Sequence, residues 1–294
     1  MLLEPSGPAL VVRAPAKVNL FLEVLRRRDD GYHDLATLMV AVGLYDTLEL
    51  REDAAGAVSL RCDRPDLSTG PDNLIRRAAE LVRQEAGLTR GVAVRLWKRI
   101  PLAAGLAGGS SDAAATLAGL NRLWRLGWDR ARLAELGARL GSDVAFFFSA
   151  PAAWCTGRGE IVEPLTPARP LDFVLVCPPA GCSTAEVFRG LTVPTEPLPG
   201  DEVRRAAAEG DVETLGRLLF NRLQPAAERL CPPVAALQRE LAALGPAGTL
   251  MSGSGSTVFA LCRRPGEALR IARALRSARE AGDGARVLVV RSCS

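Results

Sequence analysis

Residues 100–114, IPLAAGLAGGSSDAA, constrain this chain more than any other stretch. Gly105, Gly108, Gly109, Ser110 and Ser111 crowd a short segment, and the alanine-rich run behind them reads as a buried helix. Glycine lets a backbone approach an anion closely, and the free N–H groups and positive dipole end of a following helix favour negative charge. The stretch therefore has the form of a phosphate cradle. Small residues also permit tight helix packing, and Ser or Asp at a helix start is ordinary capping, so the loop alone leaves both readings open. No lysine follows the last glycine, which excludes the G-x-x-x-x-G-K-[ST] loop, and the spacing is not the G-x-G-x-x-G of a dinucleotide fold. Alanine requires an ordinary φ, so with Ala103, Ala104 and Ala107 in place, left-handed backbone is expected only at Gly105, Gly108 and Gly109.

Positive charge must then come from elsewhere, and lysine usage points to where. Of 37 basic residues only Lys17 and Lys98 are lysines. In a chain that uses arginine by default, a surviving lysine suggests a site that needs a compact ammonium rather than a planar guanidinium, though two survivors also arise by chance. Lys98 directly precedes the glycine loop and Lys17 lies in APAKVNL; the single histidine, His33, lies in the polar loop RRRDDGYHD.

Taken in order, residues 9–14 and 18–25 read as two strands joined through Pro15, with Lys17 and Asn19 on one face. Further strands are expected at 37–42, 47–52 and 57–62, and a helix at 72–86 with Asp72 as its cap and Gly87 behind it. Residues 91–97 read as a strand that delivers Lys98 to the loop. A helix at 130–140 ends at Gly141, and Asp143 then opens the apolar run VAFFF, read as a strand. A turn aspartate that satisfies nearby backbone is the commoner fate of such a residue. The proline-rich segment 164–170, PLTPARP, marks a domain boundary and divides the chain into 1–167 and 168–294. Beyond it come a strand at 171–177, a short helix at 184–189, several helices between 201 and 244, a strand–glycine hairpin–strand unit at 249–261, a helix at 265–281 and a strand at 285–290.

Composition narrows the class. At 294 residues and 48% hydrophobic the chain is long and apolar enough for one large or two ordinary globular domains. A net charge of +4, with both signs interspersed, does not point to a nucleic-acid surface. No apolar run reaches the length of a membrane span, and the N-terminus lacks a signal-peptide pattern, so a cytoplasmic protein is expected. The seven cysteines include no C-x-x-C pair and read as reduced thiols.

Four separated stretches, APAKVNLFLEVL, RRRDDGYHDLATL, IPLAAGLAGGSSDAA and MSGSGSTVFAL, together resemble the signature segments of the galactokinase, homoserine kinase, mevalonate kinase and phosphomevalonate kinase (GHMP) superfamily. Within it, DGYH and GSDVAFF resemble the kinases that act on 4-diphosphocytidyl-2-C-methyl-D-erythritol. The resemblance runs in order over essentially the whole chain. It implies an α+β, two-domain GHMP kinase fold: an N-terminal ribosomal protein S5 domain 2-like domain that binds ATP and a C-terminal ferredoxin-like domain. It also implies transfer of the γ-phosphoryl group of ATP, with Mg2+, to the 2-hydroxyl of that cytidyl substrate in the non-mevalonate route to isoprenoid precursors.

Carried over by position, the resemblance makes Asp143 the catalytic aspartate and Lys17 its partner. A carboxylate that accepts the alcohol proton and an ammonium that steadies the alkoxide suit a poor nucleophile. Asn73 and Lys98 correspond to residues at the adenine end of ATP. Pro101, Leu102, Ala103, Ala104, Gly105, Leu106, Ala107, Gly108, Gly109, Ser110 and Ser111 would wrap the triphosphate. Asn19, Tyr32, His33, Thr184 and Phe188 would surround the substrate, with Tyr32 and Phe188 sandwiching the cytosine and His33 reading its edge. The second glycine loop, Gly253, Ser254 and Gly255, would close over the site. No carboxylate cluster identifies magnesium ligands. The expected partner is a small molecule, with neither nucleic acid nor membrane, for a monomer or weak homodimer. Rival readings are a homoserine- or mevalonate-type kinase, against which the Tyr32–His33 loop argues; a non-catalytic ATP-binding regulator, against which Lys17 with Asp143 argues; and an RNA-binding module, which would rest on fold analogy alone.

Overall fold

The computed structural model describes residues 1–279 and 284–293. In chain order the elements are strands β1 (Leu2–Ser6), β2 (Ala9–Arg27), β3 (His33–Asp53) and β4 (Val58–Cys62), helix α1 (Leu74–Ala86), strand β5 (Gly91–Trp97), helices α2 (Gly108–Leu123) and α3 (Arg130–Leu140), and a 3-10 turn (Ala145–Phe148). Then come β6 (Ala152–Gly157), β7 (Ile161–Leu165), β8 (Asp172–Cys177), α4 (Thr184–Arg189), α5 (Asp201–Glu209), α6 (Val212–Arg217), β9 (Phe220–Asn221), α7 (Gln224–Leu230) and α8 (Pro232–Ala243). Strands β10 (Gly248–Met251) and β11 (Val258–Cys262), helix α9 (Pro265–Ala278) and strand β12 (Arg286–Arg291) complete them. The end expected for the last helix, at 281, lies outside the described residues.

Contacts divide the chain into two compact units that are not contiguous in sequence. The first comprises Met1–Ala16, Leu44–Ile100 and Ala107–Ser149, and the second Lys17–Gly43, Pro101–Leu106 and Ala150–Ser294. This is not the division at 167/168, because β2, β3 and the glycine loop each contribute to both units.

In the first unit, β1 pairs antiparallel with the start of β2 (Leu2↔Arg13), the end of β3 pairs antiparallel with β5 (Thr47↔Trp97), and β4 pairs parallel with β5 (Val58↔Val92). Helices α1 and α2 pack together. The α1 face carrying Ile75, Ala78, Ala79 and Val82 is buried, as its spacing predicts. Its cap is not Asp72 but Asn73, whose Oδ1 accepts from Ile75 N at 2.9 Å. Helix α2 buries Ala113, Ala114, Ala115 and Leu117. A Cβ at Gly119 would meet Leu50 and Val12 side chains at 3.1 and 3.2 Å, so small residues set how close α2 lies to the strands.

In the second unit, the start of β3 pairs with β6 (Leu35↔Gly157), and β9 runs parallel to β2 (Phe21↔Phe220). Arg222, just past β9, clamps Glu23 of β2 with two bonds of 2.7 Å. Burial pushes the Glu23 carboxyl up, but Arg222 and the N–H groups of Leu198 and Val24 hold it below the usual carboxylate range. A second sheet has the antiparallel order β10-β11-β8-β12. With helices between its first and second and between its third and fourth strands, it has the split arrangement of ferredoxin-like domains. Its core holds Val174, Val176, Val187, Leu237, Met251, Val258 and Ile271.

Two expected interruptions are absent. Residues 9–14 and 18–25 form one strand, with Pro15 beyond the β1 ladder, which stops at Arg13, and ahead of the β9 pairing at Phe21. Residues 37–42 and 47–52 likewise join in β3. The VAFFF run is not a strand: Ala145–Phe148 is a buried 3-10 turn, too short and too wholly apolar for periodicity to distinguish the two.

Candidate active site

The glycine loop does not have the expected backbone. Left-handed φ occurs at Ala103 (49°), Gly105 (72°) and Ala107 (53°), while Gly108 and Gly109 already lie in α2. Ala103 and Ala107 thus carry a conformation that disfavours a Cβ by about 1–2 kcal/mol each, maintained by the bonds around them. Ala103 O accepts from Cys182 N (3.3 Å) and Ala104 O from Thr257 N (3.2 Å). Ala107 occupies the N-cap position of α2 and has no side chain that can cap it. The first N–H groups of α2, at Gly108, Gly109 and Ser110, therefore face outward from an uncapped helix start. Such a start favours an anion.

Gly105 is a meeting point within the second unit. A Cβ there would stand 2.0 Å from Ser252 O. Its own carbonyl accepts from Lys17 Nζ at 3.1 Å and from Ser252 Oγ at 2.9 Å, and Lys17 N donates to Leu106 O at 3.1 Å. Lys17 is 3% exposed, and its Nζ donates to Asn19 Oδ1 at 2.6 Å, so these two β2 residues share a face and meet directly. Asn19 Nδ2 donates to Thr37 Oγ1 at 2.8 Å, and Asn19 N to Ser252 Oγ at 3.3 Å. Lys17, the glycine loop and the second glycine loop are thereby tied by hydrogen bonds inside one unit.

The second glycine loop, between β10 and β11, is held from below. Asn221 Nδ2 donates to Met251 O (2.8 Å) and Gly253 O (2.7 Å), and Ser254 Oγ lies 2.8 Å from Thr184 Oγ1. The rings of His33 and Phe188 stack at 5.2 Å between centroids. That spacing leaves no room for a base between them. Tyr32 is 55% exposed, with the Arg158 guanidinium over its ring at 5.0 Å. The aromatic partner of Phe188 is thus His33 rather than Tyr32. Burial, with Arg27 nearby, holds the His33 imidazole below its usual pKa, which favours the neutral ring.

In the first unit, Asp143 is half-buried between Gly141, the C-cap of α3, and the 3-10 turn. Asn73 caps α1 and also donates to Ser68 O at 2.7 Å. Lys98 is buried, with Nζ bonded to Asp46 Oδ2 (2.5 Å) and Asp112 Oδ2 (2.6 Å). Burial works against the ammonium, but the two carboxylates raise its pKa. Asp46 Oδ1 also accepts from Ile100 N at 2.9 Å, which pins the chain entering the loop. Buried Ser111 Oγ and Asp112 Oδ1 have no hydrogen-bond partner.

Thr37, Asp46, Asp112 and Asn221 are the site residues that sequence reasoning missed. Asp46 falls between the strands expected at 37–42 and 47–52, Asp112 reads as part of a helix start, and Asn221 lies in LFNRLQ, which carries no recognisable signal.

A 4-diphosphocytidyl-2-C-methyl-D-erythritol kinase from Pelotomaculum thermopropionicum is 46% identical over 250 residues, covering 84% of this chain and 87% of that protein. The chain belongs to this family of GHMP kinases. Residues 73–150 match the family described as GHMP kinases N terminal domain, and residues 203–281 that described as GHMP kinases C terminal. The crystal structure of a 4-(cytidine 5'-diphospho)-2C-methyl-D-erythritol kinase superposes with a TM-score of 0.78 at 36% identity, covering 97% of this chain and all of that one. Homoserine kinase from Cytophaga hutchinsonii superposes with a TM-score of 0.77 at 19% identity over 99% of this chain and 98% of its own, a likeness of fold. The α+β GHMP kinase fold is therefore that of a phosphotransferase with ATP as co-substrate.

Proposed function

We propose that this chain transfers the γ-phosphoryl group of ATP to the 2-hydroxyl of 4-diphosphocytidyl-2-C-methyl-D-erythritol, on the methylerythritol phosphate route to isoprenoid precursors. The observation that carries the reading is the uncapped start of α2 behind the loop of residues 101–107, in a chain 46% identical to a kinase named for that substrate. The N–H groups at Gly108, Gly109 and Ser110 take phosphate oxygens, and the macrodipole of α2 adds to their pull.

Asp143 accepts the proton of the hydroxyl as its oxygen attacks the γ-phosphorus. The bond to the β–γ bridging oxygen breaks, and ADP leaves with that oxygen. The Lys17 ammonium steadies the negative charge that grows on the attacking oxygen. Lys98, its ammonium already engaged, serves the nucleotide end by holding Asp112 at the start of α2, beside Asn73 at the start of α1. Asn19, Tyr32, His33, Thr184 and Phe188 contact the cytidyl substrate, with the stacked His33–Phe188 pair offering an edge and an outer face to the base. Gly253, Ser254 and Gly255 border the same site.

Among the described residues no group of three His, Cys, Asp or Glu side chains can hold a metal. Magnesium would enter with ATP, with phosphate oxygens and water as its main ligands. No helix among the described residues is long and apolar enough to cross a membrane. We place the enzyme in the cytoplasm, as a monomer or weak homodimer, on its resemblance to kinases of small metabolites. The two family matches lie on either side of residues 164–170, which supports 1–167 and 168–294 as the two inherited domains.

The reading is tested by steady-state kinetics of Asp143→Asn. Turnover is expected to fall by roughly 10³-fold or more while nucleotide affinity stays within a few-fold. A variant that turns over at the native rate removes Asp143 as the base.

A further inference from the structure

We infer that Thr37 is a positioning residue for the Lys17 ammonium, acting through the side-chain amide of Asn19. The inference rests on the assignment of Lys17 to the reacting hydroxyl. Its basis is a chain of hydrogen bonds in which each polarity determines the next. Thr37 Oγ1 lies 2.6 Å from Phe21 O. A carbonyl only accepts, so the Thr37 proton points at Phe21, and the hydroxyl is left to accept from its other neighbour. That neighbour is the Asn19 amide, which must then present Nδ2, at 2.8 Å. Once Nδ2 faces Thr37, Oδ1 faces Lys17 Nζ, at 2.6 Å. The Thr37 hydroxyl, left as an acceptor, and the Lys17 ammonium, which only donates, thus hold the amide from its two ends in one orientation.

Thr37 and Asn19 are each 1% exposed, so neither the hydroxyl nor the amide has water as a substitute partner. The Thr37 backbone is fixed by pairing with Cys155 across the β3–β6 ladder. Without the hydroxyl, Asn19 Nδ2 is left unsatisfied in the interior, and the amide loses the anchor that holds Oδ1 at 2.6 Å from the ammonium. Lys17 Nζ would keep its weaker bond to Gly105 O, at 3.1 Å, and would be drawn toward the glycine loop. Thr37 Oγ1 bonds Asn19 and Phe21 rather than Lys17, so its effect on the ammonium passes through Asn19.

The test compares Thr37→Val, Thr37→Ser, Asn19→Ala and the double variant Asn19→Ala/Thr37→Val in kcat, in KM for ATP and in melting temperature. Thr37→Val is expected to lower kcat roughly 10- to 100-fold with KM for ATP within about threefold, and Thr37→Ser to retain kcat within about threefold. In the Asn19→Ala background, Thr37→Val is expected to cause no further loss. Native kcat in Thr37→Val, an equal loss in Thr37→Ser, or an undiminished loss in the Asn19→Ala background would each overturn the inference. If Thr37→Val does not fold, Thr37→Ala is read against the same outcomes. Lys17→Arg separates the two levels of the argument: native turnover there removes the role of Lys17 itself. A severely impaired Lys17→Arg beside a native-like Thr37→Val removes only the role of Thr37.

Discussion

Lys98 brings one ammonium between two carboxylates, those of Asp46 and Asp112, in an interior that leaves the three residues 4%, 0% and 3% exposed. With two carboxyls to one ammonium, Asp112 is the one that keeps its proton to a higher pH than a free side chain does. Burial raises its carboxyl, Lys98 pulls it down and Asp46 pushes it back up, leaving it at about 7 against 3.8 for a free side chain. Between those two values the folded chain holds a proton that the unfolded chain has released, so stability falls as pH rises across that window. The cost is complete above about pH 7 and absent below about pH 4. Asp112→Asn removes the surplus charge while leaving an amide beside the ammonium. It should raise the melting temperature by ~2–5 °C at pH 8, with the gain shrinking to nothing as the pH falls to about 4. A gain that does not change with pH would contradict this account. The two lysines were legible as exceptions in an arginine-rich chain, and both are buried where a compact ammonium meets neutral or acidic oxygens. The partners of Lys98, Asp46 and Asp112, were not, because the side chains meet across 52 and 14 residues of sequence and nothing local marks the contact.

At the scale of an element, the glycine loop shows what periodicity and composition can and cannot convey. Its position before a small-residue helix was readable, and α1, α3, β5 and α4 fall within a residue or two of their expected bounds. Its backbone was not, because the loop around left-handed Ala103 is held by bonds from Cys182 to Ala103 O and from Thr257 to Ala104 O, both distant in sequence. Of the three left-handed positions, Gly105 is the one that no side chain can fill. A methyl there meets Ser252 O at 2.0 Å and adds the strain of a φ of +72°. Gly105→Ala should lose ~3 kcal/mol or more of stability and most of its turnover. Ala107→Gly should change stability by less than ~1 kcal/mol, since relief of strain offsets the freedom gained by the unfolded chain. Denaturant unfolding of the two variants measures both, and equal losses would show that φ alone, rather than the contact with Ser252, governs the loop. The continuous strands β2 and β3 make the complementary point: Pro15 lies inside β2 without dividing it.

For the whole molecule, order along the chain and compactness in space give different partitions. The family matches at 73–150 and 203–281 lie on either side of the proline-rich segment, whereas the compact units assign Lys17, residues 101–106, the second glycine loop, His33 and Phe188 to one body and Asn73, Lys98, residues 107–111 and Asp143 to the other. Sequence could anticipate the family because its four signature stretches are local; it could not anticipate the units, because strands as long as β2 and β3 serve both. The central claim is the choice of acceptor alcohol. It is tested most directly by measuring ADP release with magnesium and ATP over 4-diphosphocytidyl-2-C-methyl-D-erythritol, homoserine, mevalonate and galactose as alternative acceptors. Release with the cytidyl substrate alone, giving its 2-phosphate, is the predicted result; release confined to one of the other three alcohols would contradict it.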